Sequence, residues 1–301
     1  MVVAGARTRR PPVGYCRLAD PERGVLDDIV DTASFGLDEQ AGTWERLGAA
    51  MAQQLHADGV AQIPGFLRPA AVEAIADELD RALPFIPVVH DRRSVYGRSA
   101  DEASELGATS DWIAGHATRD MFPPQSPAHR LYVSPLFKRL IGACVGADHV
   151  FEYADPLAGL VATVLPPGGC YGWHYDTNEY VVTVAIREAE RGGTFEFHRD
   201  LRGAGDENLD GLRRVVDDVD TSGRRSIGAR PGDLQVFRGR YSLHRVTEVG
   251  GDANRLTLVL SYAQRPGLIG PADRTRRVYG RVTEAHLVAS QLERGHDGLI
   301  W

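Results

Sequence analysis

Hydrophobic and polar residues follow two different periods along this chain, and the period changes near residue 150. Over residues 43–149 apolar residues recur every three to four positions, which is typical of one buried face of an α-helix. Over residues 150–301 short β-branched runs and two-residue alternation predict β-strands. Residues 1–42 are rich in Pro, Gly, Asp and Arg with weak periodicity, and we expect them to form an irregular arm.

The section over residues 43–149 contains three predicted helices with start and stop signals, over residues 43–59, 68–83 and 134–146. Proline near the first turn and glycine after the last turn mark such ends. A short strand is predicted over residues 60–67, between the first two helices. The polar, Gly- and Pro-punctuated stretch over residues 88–127 is too long for a simple connection, and we interpret it as a lid loop.

The section over residues 150–301 contains many short predicted strands without regularly spaced helices between them, which predicts a β-sandwich or barrel with α flanks. The polar insertion over residues 199–226 is interpreted as a second lid that contains a short amphipathic helix. We expect one catalytic core followed by a C-terminal tail. The predicted strand sequences are GLVATVL, YVVTVAI, GTFEF, DLQVF, SLHRVTEV and RLTLVLSYA.

Composition narrows the possible partners. A net charge of -7 argues against binding to nucleic acid or to an anionic membrane, both of which favour basic surfaces. Three cysteines without a C-x-x-C motif suit a reducing cytoplasm. No apolar run approaches the roughly 20 residues that span a bilayer. We therefore expect a cytoplasmic protein that acts on a small molecule.

The sequence YGWHYD carries the strongest candidate chemistry. Side chains alternate along a strand, so His174 and Asp176 point to one face. A second imidazole, at His244 in SLHRVTEV, would complete a set of two histidines and one carboxylate, which suits non-haem Fe(II). The alternative is that these histidines are structural and hydrogen-bonded at strand ends.

A second candidate feature opens the strand RLTLVLSYA, where Arg255 and Thr257 share one face. A guanidinium beside a hydroxyl can bind a carboxylate through two hydrogen bonds. The alternative is an edge arginine that reaches solvent.

The ordered motifs His174-Tyr-Asp176, His244-Arg-Val246 and Arg255-Leu-Thr257, with GGTFEF and RPGDLQVFRG between them, resemble the Fe(II)/2-oxoglutarate-dependent dioxygenases. The resemblance covers roughly residues 150–265, and GVAQIPGFL is similar to the N-terminal part of family members. It implies a double-stranded β-helix, a cupin-like jelly-roll, with the N-terminal helices packed on it. It also implies Fe(II) held by His174, Asp176 and His244, with O2 as oxidant and 2-oxoglutarate bound through its distal carboxylate by Arg255 and Thr257.

The implied reaction is oxidation of a C–H bond in a small molecule such as an amino acid or a secondary-metabolite intermediate. Halogenases of the resembled family replace the carboxylate ligand with Gly or Ala, whereas this chain has Asp176, so hydroxylation or a related step is favoured. Tyr171, Arg187 and Arg202 are candidate substrate contacts, although an aromatic can pack the core and an arginine can lie on the surface.

Two alternatives stay open. One is a cupin-type metalloenzyme that does not use 2-oxoglutarate, in which Arg255 would have no anionic cosubstrate to bind. The other is a non-catalytic β-sandwich that binds a ligand.

Overall fold

The computed structural model describes residues 26–39, 42–97 and 109–289. Within these ranges a layer of helices packs on a curved antiparallel sheet. The helices are α1 (Thr43–Asp58), α2 (Pro69–Ala82), α3 (Pro127–Val133), α4 (Pro135–Val145), α5 (Leu209–Val216), α6 (Ala272–Tyr279) and α7 (Glu284–Ala289). In this part of the chain no helix is both long enough and apolar enough to cross a membrane.

The described strands are β1 (Val60–Ile63), β2 (Val88–Ser94), β3 (Thr109–Ala117), β4 (Phe151–Glu152), β5 (Leu160–Leu165), β6 (Cys170–His174), β7 (Val181–Arg187), β8 (Arg191–Gly192), β9 (Phe195–His198), β10 (Arg224–Ile227), β11 (Leu234–Phe237), β12 (Leu243–Val246), β13 (Val249–Gly250), β14 (Arg255–Leu260) and β15 (Tyr262–Ala263). Eleven of these strands form one sheet in the order β1-β11-β7-β14-β5-β3-β6-β12-β9-β10, with β2 paired to β3. Most neighbours in this order are not consecutive in sequence, which is the long-range pairing of a jelly-roll.

Strand β14 has one face in the hydrophobic core and the other face in the wall of a cavity. Leu256, Leu258 and Leu260 are fully buried against the helical layer, and each buried leucine contributes roughly 1.5–3 kcal/mol. The alternate residues Arg255 and Thr257 line a cavity on the opposite face of the sheet. The two-residue period of the strand therefore places polar side chains on the cavity face of β14 and leucines on its core face.

The predicted elements are largely confirmed. Helix α1 ends at Gly59, whose left-handed backbone (φ 77°) accounts for the glycine. Helix α4 begins with a Ser134 side chain that accepts a hydrogen bond from the Phe137 backbone N–H, and it ends at Gly146. All six strand sequences contain strands, and the mainly β, jelly-roll architecture with α flanks is confirmed. Helices α3, α6 and α7 are not among the predicted helices.

The lid loop predicted over residues 88–127 is wrong for most of the described residues in that range. β2 and β3 form a hairpin there, and β3 also pairs with β5 and β6, so it lies inside the main sheet. Polar residues on both faces conceal the alternation, because His116 faces the cavity whereas Asp111 is exposed to solvent. Residues 98–108 of the predicted loop lie outside the described residues.

The second predicted lid, over residues 199–226, contains α5 as expected and also the start of β10. An irregular arm is predicted over residues 1–42, of which the structure describes residues 26–39 and 42. Residues in this described part pack against the main hydrophobic core. Leu26, Ile29 and Val30 are buried in the main core, and Val30 forms an isolated bridge with Leu67.

Candidate metal centre and cofactor pocket

Three side chains with metal-binding atoms converge at one end of the cavity. His174 ends β6, His244 lies directly opposite it on β12, and Asp176 follows β6 by two residues. One donor atom from each of the three lies within 4.8 Å of the other two. The Nε2 atom of His244 is 3.2 Å from Asp176 Oδ2, and the Nε2 atom of His174 is 4.0 Å from Asp176 Oδ1. The predicted ligand set therefore meets in space.

Hydrogen bonds on the far side of both imidazole rings orient them for metal binding. The Nδ1 atom of His174 is 2.7 Å from the Gly172 carbonyl oxygen, and Nδ1 of His244 is 2.9 Å from the Ser242 carbonyl oxygen. A carbonyl can only accept, so Nδ1 carries a proton in each ring, and Nε2 is the nitrogen that faces Asp176. This arrangement fits a divalent metal held by the two Nε2 atoms and the Asp176 carboxylate.

The protonation states also suit a metal. Burial, together with the neighbouring His244, lowers the pKa of His174 to about 3. Burial acts to raise the pKa of Asp176, but His244 and His174 oppose it, and the pKa falls overall to about 2. The His174 imidazole is therefore neutral and the Asp176 carboxylate is ionised at neutral pH, as ligands must be.

Arg255 lies in the wall of the same cavity and is only 8% exposed. Its Nη1 donates to Thr257 Oγ1 at 2.8 Å, and its Nε donates to Glu188 Oε2 at 3.2 Å. Among the described residues, its Nη2 has no hydrogen-bond partner. Burial raises the pKa of Glu188, and Arg255 opposes that rise. The Glu188 carboxylate thus partly balances the charge of the Arg255 guanidinium, while Nη2 can still donate a hydrogen bond to a ligand in the cavity.

Tyr171 lies in the cavity wall near both the metal ligands and Arg255. Its ring packs edge-on against His174 at a centroid distance of 5.8 Å, and the charges of both Asp176 and Arg255 act on its hydroxyl. The hydroxyl lies 2.6 Å from His116 Nε2, and burial raises the pKa of Tyr171 to about 12. The predicted contact residue Tyr171 therefore lines the cavity as a neutral hydrogen-bonding group.

Strand β3 supplies cavity residues that the sequence analysis missed. The Trp112 ring is 4.6 Å from the His174 ring, and His116 bonds Tyr171. Trp112 and His116 are four residues apart and share a strand face. Period-two alternation in DWIAGHA was the available signal, but the polar surroundings led to a loop prediction.

Acidification should destabilise the metal-free protein partly through His116. Burial lowers the pKa of His116 to about 4, and Arg93 adds to the effect, whereas an unfolded histidine titrates near 6.5. The unfolded chain therefore takes up a proton first, so this stability is present above pH 6.5 and is lost as the pH falls towards 4. We expect His116→Gln to remove roughly 1–2 kcal/mol of the stability difference between pH 7 and pH 5.

Urea unfolding at the two pH values measures this difference, with the exposed His90→Gln on β2 as the matched control. An unchanged pH dependence in His116→Gln would contradict the assignment.

Helices α6 and α7 cover one side of the cavity and are anchored at Asp155. The Asp155 carboxylate accepts hydrogen bonds from the backbone N–H groups of Leu157, Ala158 and Gly270, and its Oδ1 lies 3.0 Å from His286 Nε2. Asp155 and His286 are both fully buried. This buried joint holds the C-terminal helices over the site.

Arg274 on α6 brings a positive charge to the cavity. Its side chain is exposed and has no hydrogen-bond or ion-pair partner among the described residues, and its charge acts on both His174 and Asp176. The sequence offered no signal for this residue, because arginine is abundant throughout the chain.

The other two predicted substrate contacts lie away from the cavity wall. Arg187 forms a two-pronged ion pair with Asp80 on α2, at 2.9 and 2.7 Å. Arg202 is 4% exposed, donates to Glu207 and to the Arg240 carbonyl, and has its guanidinium 3.9 Å from the centre of the Tyr175 ring. Each arginine thus has a partner of its own, so the structure does not bring Arg187 or Arg202 to the site.

A family model described as Halogenase D matches residues 44–276, which include all three candidate metal ligands and Arg255. The chain belongs to the Halogenase D family. Among curated proteins, none matches this Halogenase D family member by sequence. The family assignment is consistent with the resemblance to the Fe(II)/2-oxoglutarate-dependent dioxygenases and with the expectation of an enzyme.

Solved structures share the fold of this Halogenase D family member. AviO1 from Streptomyces viridochromogenes Tue57 aligns with a TM-score of 0.50 and 16% identity, over 71% of this chain and 94% of that one. The non-haem α-ketoglutarate-dependent carbocyclase SnoK from nogalamycin biosynthesis aligns with a TM-score of 0.50 and 15% identity, over 73% of this chain and 87% of that one. These likenesses confirm the fold.

Proposed function

We propose that this protein is a non-haem Fe(II), 2-oxoglutarate-dependent oxygenase that oxidises a C–H bond of a small molecule. The observation that carries the proposal is the convergence of His174, Asp176 and His244 in the same cavity as a buried arginine. Two imidazoles and one carboxylate leave adjacent coordination positions open, which suits Fe(II) in oxygenases. Bound Fe(II) and 2-oxoglutarate would supply the oxidising chemistry with O2.

The chain's own residues bind and orient the reactants in this proposal. Arg255 and Thr257 bind the distal carboxylate of 2-oxoglutarate, a contact to which a planar guanidinium is suited. Tyr171 provides a neutral hydroxyl near both that carboxylate site and the metal ligands.

The cavity has a volume of about 2140 Å³ among the described residues, which is more than ligand pockets of roughly 300–1,000 Å³ require. A substrate therefore has room beside the cosubstrate.

Hydroxylation or a related oxidation is favoured over halogen transfer, despite the family's description. Asp176 occupies the third ligand position, with one oxygen 3.2 Å from His244 Nε2. A halide ligand would have to displace an ionised carboxylate whose pKa has fallen to about 2. Product analysis in the presence of chloride tests this point, and a chlorinated product would contradict it.

We further propose that the substrate carries a carboxylate, as an amino acid does. Arg274 lines the cavity with a guanidinium that has no partner among the described residues, and its positive charge acts on His174 and Asp176. Arg93 is the less available cation, because it donates to Asp91 and to the Arg277 carbonyl.

Arg274→Gln is expected to raise the KM for substrate about tenfold with little change in the KM for 2-oxoglutarate, since a charge-assisted hydrogen bond contributes roughly 1.5–3 kcal/mol and exposure reduces it. Steady-state succinate release measures both constants. Arg276→Gln is the matched control, because Arg276 is exposed on the same helix and does not line the cavity. An equal increase in the substrate KM for Arg274→Gln and Arg276→Gln would contradict the proposal that the substrate carries a carboxylate.

The decisive experiment for the reaction class is anaerobic titration followed by turnover. A weak visible charge-transfer band that requires both Fe(II) and 2-oxoglutarate is the expected result. A screen of amino acids and natural-product intermediates for stimulated succinate release then identifies the substrate. Absence of the band would contradict the proposal.

One contact favours the alternative of a cupin-type metalloenzyme that does not use 2-oxoglutarate. Glu188 already provides Arg255 with a carboxylate partner. In that case substrate conversion would proceed at full rate without added 2-oxoglutarate, and no succinate would form.

A further inference from the structure

Gly239 lies beside the carboxylate ligand in the turn between β11 and β12. It is buried, and its carbonyl oxygen accepts a hydrogen bond from the Asp176 backbone N–H at 3.1 Å. The turn therefore holds the backbone of Asp176 directly after β6 ends.

The space beside Gly239 is filled by the Asp176 side chain. A Cβ atom added at Gly239 would overlap Asp176 Oδ2 and would lie 3.0 Å from both Cβ and Cγ of the same residue. Oδ2 is also the oxygen that lies 3.2 Å from His244 Nε2. The lack of a side chain at Gly239 therefore leaves the space that Asp176 Oδ2 occupies.

Backbone conformation does not account for this glycine. Gly239 is not among the glycines with positive φ in the described chain, so an alanine could adopt its backbone geometry. The turn is held in place around it, because Arg240 Nη1 donates to the Thr177 carbonyl at 2.9 Å and the Ser242 N–H donates to the Arg238 carbonyl at 3.0 Å. An added methyl group would therefore move the carboxylate more readily than the turn.

We propose that Gly239 is a positioning residue that keeps Asp176 in the metal-binding triad by leaving its carboxylate the space of one side chain. The proposal rests on the proposed metal role of His174, Asp176 and His244. Gly239 itself touches neither metal nor substrate in this role, and acts only through Asp176.

The test is a double-mutant cycle read by Co(II) titration of the metal-free protein, with Gly239→Ala, Asp176→Ala and the combined variant. Gly239→Ala should weaken Co(II) binding about 10- to 100-fold, the range for residues that orient a ligand. In the Asp176→Ala background the same substitution should change Co(II) affinity less than about twofold, because the carboxylate it displaces is gone. Gly228→Ala is the control, since Gly228 is exposed and a Cβ there meets nothing within 4 Å.

Each outcome decides one question. Wild-type Co(II) affinity in Gly239→Ala, or an equal loss in both backgrounds, overturns the role of Gly239. Unchanged affinity in Asp176→Ala instead overturns the metal site itself. If Gly239→Ala fails to fold and the combined variant folds, the steric argument is supported. If neither folds, Gly239 serves packing rather than Asp176 and the proposal is wrong.

Discussion

Asp176→Ala should lower the affinity for Fe(II) or Co(II) by roughly a thousandfold. Structural zinc sites bind their ion with about 10–16 kcal/mol shared among four ligands, so the loss of one ligand costs up to about 4 kcal/mol, which corresponds to roughly a thousandfold. The loss should be large here because Asp176 supplies the only carboxylate of the triad and is ionised, with a pKa lowered to about 2. Substrate-dependent succinate release should fall to background.

Anaerobic metal titration with thermal unfolding as a folding check measures this effect. Asp273→Ala is the matched control, because Asp273 is an aspartate at the same cavity that does not belong to the triad. Retention of stoichiometric, tight iron by Asp176→Ala would contradict the role of Asp176 as a ligand. Absence of stoichiometric iron from the unaltered protein would support the non-catalytic β-sandwich instead.

Arg255→Ala should weaken 2-oxoglutarate binding by about two orders of magnitude and leave metal affinity nearly unchanged. Truncating one partner of a buried, hydrogen-bonded charge pair costs roughly 2–5 kcal/mol, and 1.4 kcal/mol corresponds to a factor of ten. Arg255 is 8% exposed, so solvent cannot replace it effectively. Arg255→Lys should give an intermediate loss, since it keeps the charge but not the planar fork.

The dissociation constant comes from the 2-oxoglutarate dependence of the charge-transfer band at saturating Fe(II). Arg187→Ala provides the control, because Arg187 lies on the neighbouring strand β7 and pairs with Asp80 away from the cavity. Unchanged 2-oxoglutarate binding in Arg255→Ala would show that Arg255 serves as a structural partner of Glu188. That result would favour the cupin-type alternative.

The most local parts of the site could be predicted from the sequence. His174 and Asp176 are two residues apart, and the period of a strand alone places them on one face. The same rule places Arg255 with Thr257 and opposite Leu256 and Leu258. Helix ends at Gly59 and Gly146 were predictable because left-handed backbone favours glycine.

Other parts depended on which strands become neighbours. Strand β3 joins β5 and β6 although about 50 residues separate it from them, and only that pairing brings Trp112 and His116 to the cavity. Strand pairing at such separation is not encoded in any short window of sequence, so the polar and glycine residues around β3 favour a loop prediction.

The arginines show the same division between local pattern and tertiary structure. Arg187, Arg202 and Arg274 are alike in sequence terms, but the folded chain pairs the first with Asp80, buries the second beside Glu207 and leaves the third at the cavity. The strand periods, the helix ends and the order of the ligand motifs can be obtained from the sequence, because each depends on neighbouring residues. The side chains that surround the triad, and the room that Gly239 leaves for Asp176, follow from the folded chain, because those contacts join residues distant in the chain.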